Sequence, residues 1–224
     1  MRRIVLATLS LAIFFSPRAS AQRTYSPAEV TSAGDAYTSF NVVFDGLFVL
    51  DVEIGDDGGV RRIEPLRNPG GMFETAKNLV SGWKFRPASK GGKPRASRLT
   101  VAFVYRPPNY ITFGAVPVKD FSPVIPSERS NDCCKGYAPV GVLSFAYPDY
   151  PVNSVAWGSV ILQATVDSTG GVESVDVLHG MPNFDRFARE ALKNWRFRAA
   201  RASGRPVTAK IVIAFIFQPP PSSH

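Results

Sequence analysis

The sequence has few of the residues and motifs on which enzymes depend. It contains only two histidines and two cysteines in 224 residues. His224 ends the chain and His179 follows a predicted strand, so neither has an evident partner for acid–base chemistry or metal binding. Motifs for a serine nucleophile, a zinc protease and a phosphate-binding loop are absent. We therefore expect no enzyme, no cofactor, no metal site and no small-molecule substrate.

Long apolar runs are also missing. Arg2 and Arg3 precede 12 largely apolar residues, 4–15, and small residues then lead to Ala21. A membrane-spanning helix needs about 20 apolar residues, so this run is too short. The pattern is typical of a secretory signal peptide, which predicts export with cleavage after Ala21. An uncleaved membrane anchor is the alternative.

The two cysteines, Cys133 and Cys134, are adjacent. In an exported protein this pair has three interpretations: a disulfide between the neighbours, a bridge to another molecule, and soft-metal binding by two thiolates. A bridge with a structural role is favoured over a metal site, because no further cysteine or nearby histidine completes a ligand set.

Acidic residues are outnumbered, with 26 lysines and arginines against 18 aspartates and glutamates and a net charge of +8. The positive charges are spread over predicted loops and helix ends and are not interleaved with aromatic residues. We interpret them as solvated surface charge and expect no nucleic-acid partner.

One stretch of the sequence occurs twice. Residues 83–94 (WKFRPASKGGKP) return as residues 195–206 (WRFRAARASGRP) after an offset of 112. The same offset superposes the Gly-Gly-Val of residues 58–60 on that of residues 170–172. This agreement indicates an internal duplication and predicts two small domains.

Each copy has the pattern of a strand, a glycine-rich turn, a second strand, a helix and a third strand. The predicted strands are 47–54, 60–64 and 99–105 in the first copy, and 160–166, 172–178 and 209–217 in the second. The helical stripes lead to Trp83 and Trp195, which we expect to pack where helix meets sheet. The predicted fold class is α+β, with two tandem units, each a three-stranded antiparallel sheet with a helix packed on one face.

The predicted organisation follows from the duplication. It consists of a signal peptide (1–21), an N-terminal arm (22–40), a divergent first unit (41–108), a proline-rich linker holding the cysteines (109–146), a second unit (147–220) and a tail (221–224).

The second copy resembles the C-terminal domain of TonB-family proteins. The likeness covers residues 147–217 well and residues 46–105 more weakly, so two tandem copies are expected. It rests on Tyr147-Pro148, Gly158 and its apolar strand, the Gly-Gly-Val at 170–172, the helix through Ala188 and Ala191, the Trp-Arg-Phe-Arg at 195–198, and Phe217.

The resemblance implies a periplasmic domain that binds an extended peptide, the TonB box of an outer-membrane transporter, along a free sheet edge. An unpaired strand attracts another through main-chain hydrogen bonds. The predicted peptide-binding edge consists of Ala209, Ile211, Val212, Ile213, Ala214, Phe215 and Phe217. A second candidate edge consists of Leu99, Val101, Phe103 and Tyr105.

The expected partner is a TonB-dependent outer-membrane receptor or another envelope protein. One alternative is an envelope scaffold, not transducing energy, whose two domains mask each other's edges. Another is a membrane-anchored energy transducer with a retained N-terminus. The outward faces of the third strands are apolar, which favours an intramolecular pseudo-dimer. These faces carry Ala102 and Val104 in the first copy, and Val212, Ala214 and Ile216 in the second.

Overall fold

The computed structural model describes residues 25–37, 46–106, 116–129, 134–150, 154 and 156–218. The predicted signal peptide, the tail and Cys133 lie outside these ranges. The first half contains β1 (Tyr25–Ser26), β2 (Glu29–Ser32), β3 (Gly46–Ile54), β4 (Val60–Arg67), a short 3-10 turn (Pro69–Gly71), α1 (Phe73–Ser81), β5 (Lys84–Arg86), β6 (Ala88–Lys90), β7 (Lys93–Arg95) and β8 (Ser97–Arg106). After β9 (Val116–Pro117), the second half contains β10 (Tyr137–Ala138), β11 (Gly141–Ser144), β12 (Ala146–Tyr147), β13 (Gly158–Val166), β14 (Val172–His179), α2 (Asp185–Lys193), β15 (Arg196–Arg198), β16 (Ala200–Ala202), β17 (Arg205–Val207) and β18 (Ala209–Phe217).

The two halves repeat the same elements at the same offset. Every element of the first half, apart from the 3-10 turn, has a counterpart that begins 112 residues later, from β1 and β10 to β8 and β18. The strand pairings repeat as well, since β2 pairs with β5 as β11 pairs with β15. The duplication therefore extends beyond the segments in which the sequence alone shows it.

Short strands lie in the segments that the sequence analysis assigns to an arm and a linker. Residues 25–32 form β1 and β2, and residues 137–144 form their counterparts β10 and β11. Each strand has two to four residues, which is too few to establish an alternating pattern in the sequence. β2 pairs with β5 and β11 with β15, so both segments contain strands that pair with the unit that follows them.

The core of the protein is one six-stranded sheet with the order β14-β13-β18-β8-β3-β4. Within each half the three strands are antiparallel, as predicted. The halves join because β18 pairs with β8 in parallel, with Ile213 opposite Ala102. The intramolecular association expected from the apolar third strands is thus an edge-to-edge pairing.

Both faces of the four central strands are buried, whereas the outer strands β4 and β14 are partly exposed. β8 and β18 are equivalent strands of the two halves and lie side by side in parallel. A half-turn about an axis parallel to these strands therefore relates the two halves. This rotation places α1 and α2 on opposite faces of the sheet. The core under α2 includes Leu47, Val49, Ala102 and Val104 from the first half. The core under α1 includes Ile161, Val212, Ala214 and Ile216 from the second half. Each half therefore covers the outward apolar face of the other half's third strand.

A buried ion pair lies within the first half, and its arginine also binds main-chain carbonyls of the segment that leads into β10 and of β10 itself. The Arg98 guanidinium donates from Nε to both carboxylate oxygens of Asp51, at 3.1 and 3.0 Å. Its Nη1 also donates to the main-chain carbonyls of Ser127 and Tyr137, at 2.9 and 3.0 Å. Both charged side chains are only 1% exposed. The counterparts 112 residues later are glutamine and lysine, so this pair belongs to the first half alone.

We predict that Asp51→Asn lowers the free energy of unfolding by about 3–5 kcal/mol, because it leaves the Arg98 charge buried without its main partner. Glu190→Gln is the control, since it breaks an exposed pair with Lys193 and should cost less than about 1 kcal/mol. Denaturant unfolding measures both values. Equal, small effects of the two substitutions would contradict the role assigned to Asp51.

Candidate functional site

The strands predicted to bind a peptide are not free edges. β18 is paired along its whole length with β13 and, from Ile211 onward, with β8. β8 is likewise paired with β3 on its other side. The predicted residues of both strands are at most 1% exposed. The prediction of a free edge at 209–217 or 99–105 is therefore wrong, because the other half of the chain occupies the position that an added strand would take.

The structure describes only one of the two cysteines. Cys134 is disulfide-bonded and 5% exposed. Cys133 lies outside the described residues, so a bridge between the two neighbours stays a prediction.

The outer strands of the six-stranded sheet are β4 and β14. Both strands are interrupted by two irregularities in register against their neighbours, at equivalent places. On β14 these leave a regular segment from Ser174 to Val177. Irregularities of this kind limit edge-to-edge association, so any strand added here would be short.

The edge formed by β4 is obstructed. Pro65 lies within it, although the sequence analysis ends this strand before the proline. An N–H group at this position would point away from β3, so the absence of an N–H on proline removes no hydrogen bond between the two strands. Arg61 and Arg62 make ion pairs with Asp57 and Glu53 at 2.6 and 3.1 Å, which place charged groups along the same edge.

The edge formed by β14 is more open. The counterpart of Pro65 on this strand is Val177, which is 37% exposed, and Val172 is 42% exposed. Arg189 Nη1 donates to the Val175 carbonyl oxygen at 3.3 Å, so this carbonyl points away from β13. Residues two apart on a strand direct their main-chain groups to the same side, so Val177 also presents its N–H and carbonyl outward.

A groove of about 780 Å³ lies beside this edge, between the β13–β14 turn, α2 and β15. We call it the second-half groove. Its apolar lining consists of Leu143, Val172, Val175, Leu192, Trp195 and Phe197. Arg189, Lys193 and Arg196 line it as well, so it combines an apolar floor with positive charge. Trp195 is held in place by the hydrogen bond from its Nε1 to the Ala146 carbonyl, at 3.1 Å.

The first half has an equivalent groove of about 820 Å³. Its lining differs, because Asp57, Arg61, Arg62 and Lys77 make it more polar. Trp83 and Trp195 occupy equivalent positions in the two grooves and are 6% and 2% exposed, so both pack mainly in the core, as expected. The duplicated halves have thus diverged in the surface that they present.

The turn beside the second-half groove depends on Gly170. This residue has a φ of +93°, and a Cβ atom on it would lie 2.5 Å from the Phe197 carbonyl oxygen. The Thr169 hydroxyl, with the amides of Thr169 and Gly171, holds the pKa of the Asp167 carboxyl below its usual value and fixes the turn. Glycine is therefore required both by the backbone conformation and by the close approach of β15.

The described residues hold no cluster of three or more histidine, cysteine, aspartate or glutamate side chains suited to a metal ion. His179 lies at the end of β14, with Nε2 at 4.0 Å from Asp35. Neither described helix is long and apolar enough to cross a membrane.

Part of the second half matches a known protein family. Residues 144–219 match a family described as Gram-negative bacterial TonB protein C-terminal. No curated protein and no solved structure matches the chain significantly. The match supports a TonB C-terminal domain in the second half, and such domains are periplasmic and belong to proteins of outer-membrane transport that are not enzymes. It does not extend to the first half.

We predict that Gly170→Ala destabilises the protein more than Gly204→Ala. Gly204 has a φ of +74° but open space around its Cβ position, so alanine there should cost about 1 kcal/mol from backbone strain alone. At Gly170 the contact with the Phe197 carbonyl should add about 1–3 kcal/mol. Thermal or denaturant unfolding of the two variants tests this order, and a smaller loss for Gly170→Ala would contradict it.

Proposed function

We propose that this protein is an exported, TonB-like envelope protein that binds an extended segment of a TonB-dependent outer-membrane receptor. The two halves act as tandem TonB C-terminal-like units, and residues 1–21 are a signal peptide removed on export to the periplasm. Recognition takes place at β14 rather than at the third strands. The observation that carries this proposal is the outward-facing main chain of β14 next to the second-half groove.

Strand addition at β14 is supported by what distinguishes this edge from β4. The outward N–H at Val177 is available for a ladder bond, whereas its counterpart in the first half is Pro65 and has none. The exposed Val172 and Val177 side chains offer apolar contact to an added strand. An added peptide would gain main-chain hydrogen bonds from the edge and specificity from the groove.

The chemistry of the second-half groove indicates which segment it accepts. Apolar side chains of the peptide would pack against the exposed Leu143 and Val172, and acidic groups would meet Arg189 and Lys193. An extended segment that alternates apolar and acidic residues fits both features. The more polar first-half groove would not offer the same apolar floor.

An envelope scaffold is the second candidate, and one observation favours it. The parallel pairing of β8 and β18 covers the longest edge strand of each half. The two domains therefore mask each other's edges, which is what a scaffold that binds no peptide requires. This candidate requires no ligand at β14. It differs from the first in the outcome of a peptide titration.

We predict that Val177→Pro weakens binding of a synthetic TonB-box peptide about tenfold or more. The substitution removes one outward N–H and adds a ring to the edge, while Pro65 shows that the equivalent position tolerates proline. Amide shifts of the isotope-labelled protein should map to residues 172–179 rather than to 209–217. Titration by NMR or calorimetry measures both.

Val177→Thr is the matched control, because it changes the side chain and keeps the N–H. It should bind the peptide within about threefold of the unchanged protein if main-chain pairing dominates. Equal loss in both variants would overturn strand addition at β14. Unchanged amide shifts throughout the unchanged protein would favour the scaffold.

A further inference from the structure

The positive charge of the protein comes from two short segments. Residues 83–95 and 195–207 contain nine of the 26 lysines and arginines and no acidic residue. The rest of the chain has 17 basic and 18 acidic residues, which nearly cancel. The sequence interpretation of dispersed surface charge is therefore incomplete, because the excess is concentrated in two equivalent places.

Both segments form hairpins at the same end of the molecule. β6 and β7 lead into β8, while β16 and β17 lead into β18. Since β8 and β18 run parallel and side by side, their first residues lie at the same end of the sheet. The strands that pair with the two hairpins are also in contact. β1 pairs with β6 and β10 pairs with β16. Tyr25 of β1 and Tyr137 of β10 hydrogen-bond to each other and to Ser97 through their side chains.

The charges on these hairpins are exposed and lack counter-charges. Lys90, Lys93, Arg95 and Arg205 are all exposed. None of the four makes an ion pair with any residue in the ranges that the structure covers. Basic residues on the helices differ, since Lys77 and Lys193 pair with glutamates at 3.4 and 2.6 Å. We call the four unpaired residues the basic end.

We propose that the basic end binds the surface of an anionic lipid bilayer. The charges lie on two adjacent hairpins and not around one cavity, so they match a field of many headgroups better than a single small anion. The hairpin turns carry Gly91, Gly92, Ser203 and Gly204 and no aromatic residue, so they offer no platform on which bases could stack. Each basic residue near such a surface adds to the attraction, so several together give measurable binding.

Membrane contact at the basic end is compatible with peptide binding at the β14 edge. The basic end is formed by the hairpins that precede β8 and β18, whereas β14 lies at the side of the sheet. Contact with a membrane at one end would leave the side free. The proposal does not rest on peptide binding, and either can fail without the other.

Vesicle co-sedimentation tests the proposal with a chain that begins at residue 22 and so retains every described residue. Vesicles of phosphatidylglycerol and phosphatidylcholine should sediment the protein at low salt, and vesicles of phosphatidylcholine alone should not. Binding should fall steeply as salt rises, because the attraction is screened. Lys90→Gln, Lys93→Gln and Arg95→Gln combined in one variant should weaken binding at least tenfold.

The control combines Lys77→Gln, Arg186→Gln and Lys193→Gln, which remove the same charge from the two helices. It should keep binding within about threefold, and thermal unfolding should show that both variants are folded. Equal weakening by both variants would overturn the proposal, because net charge alone would then explain binding. Absence of sedimentation with anionic vesicles, or retention by insoluble cell-wall polymer in its place, would overturn it as well.

Discussion

The parallel hydrogen bonding between β8 and β18 is the contact on which the rest of the structure depends. It joins two three-stranded sheets into one and brings each half's outward apolar face under the other half's elements. Full burial of an aliphatic side chain contributes about 1.5–3 kcal/mol, so these faces would be costly to leave in water. A half of this size also has little core of its own, which makes the mutual coverage a condition of stability.

Much of this architecture could be predicted from the sequence. The 112-residue offset, the antiparallel three-stranded order and the two helices that precede Trp83 and Trp195 follow from periodicity and spacing alone. The short strands β1, β2, β10 and β11 could not be predicted, since two to four residues carry no periodic pattern. Their positions become evident only when the offset is applied to segments that have little sequence likeness.

The outer strand that we propose as the binding edge was harder to predict than the fold. β18 is apolar at Val212, Ala214 and Ile216 as well as on its inward face, and a strand that is apolar on both faces is typical of the centre of a sheet. The resemblance to TonB domains predicts peptide binding at β18. The apolar residues on both faces of this strand indicate instead that other elements cover it. The polar residues Glu173, Ser174 and Asp176 within β14 were the available sign of an outer strand.

The two halves share one backbone arrangement but differ in the residues that they carry at equivalent positions. Asp51 and its buried arginine partner in the first half correspond to Gln163 and a lysine in the second. Pro65 closes one outer edge where Val177 leaves the other open. The two outer edges of the sheet therefore differ, although the strands that form them occupy equivalent positions.

Hydrogen exchange at individual amides tests the closed sheet most directly. If β8 and β18 are paired as described, the amides from Ile211 to Ile216 exchange only when the whole protein unfolds, and far more slowly than the outward-facing amides of Val175 and Val177. Exchange of the β18 amides at the rate of the β14 edge would contradict the account, because it would show that the third strand is open to another partner.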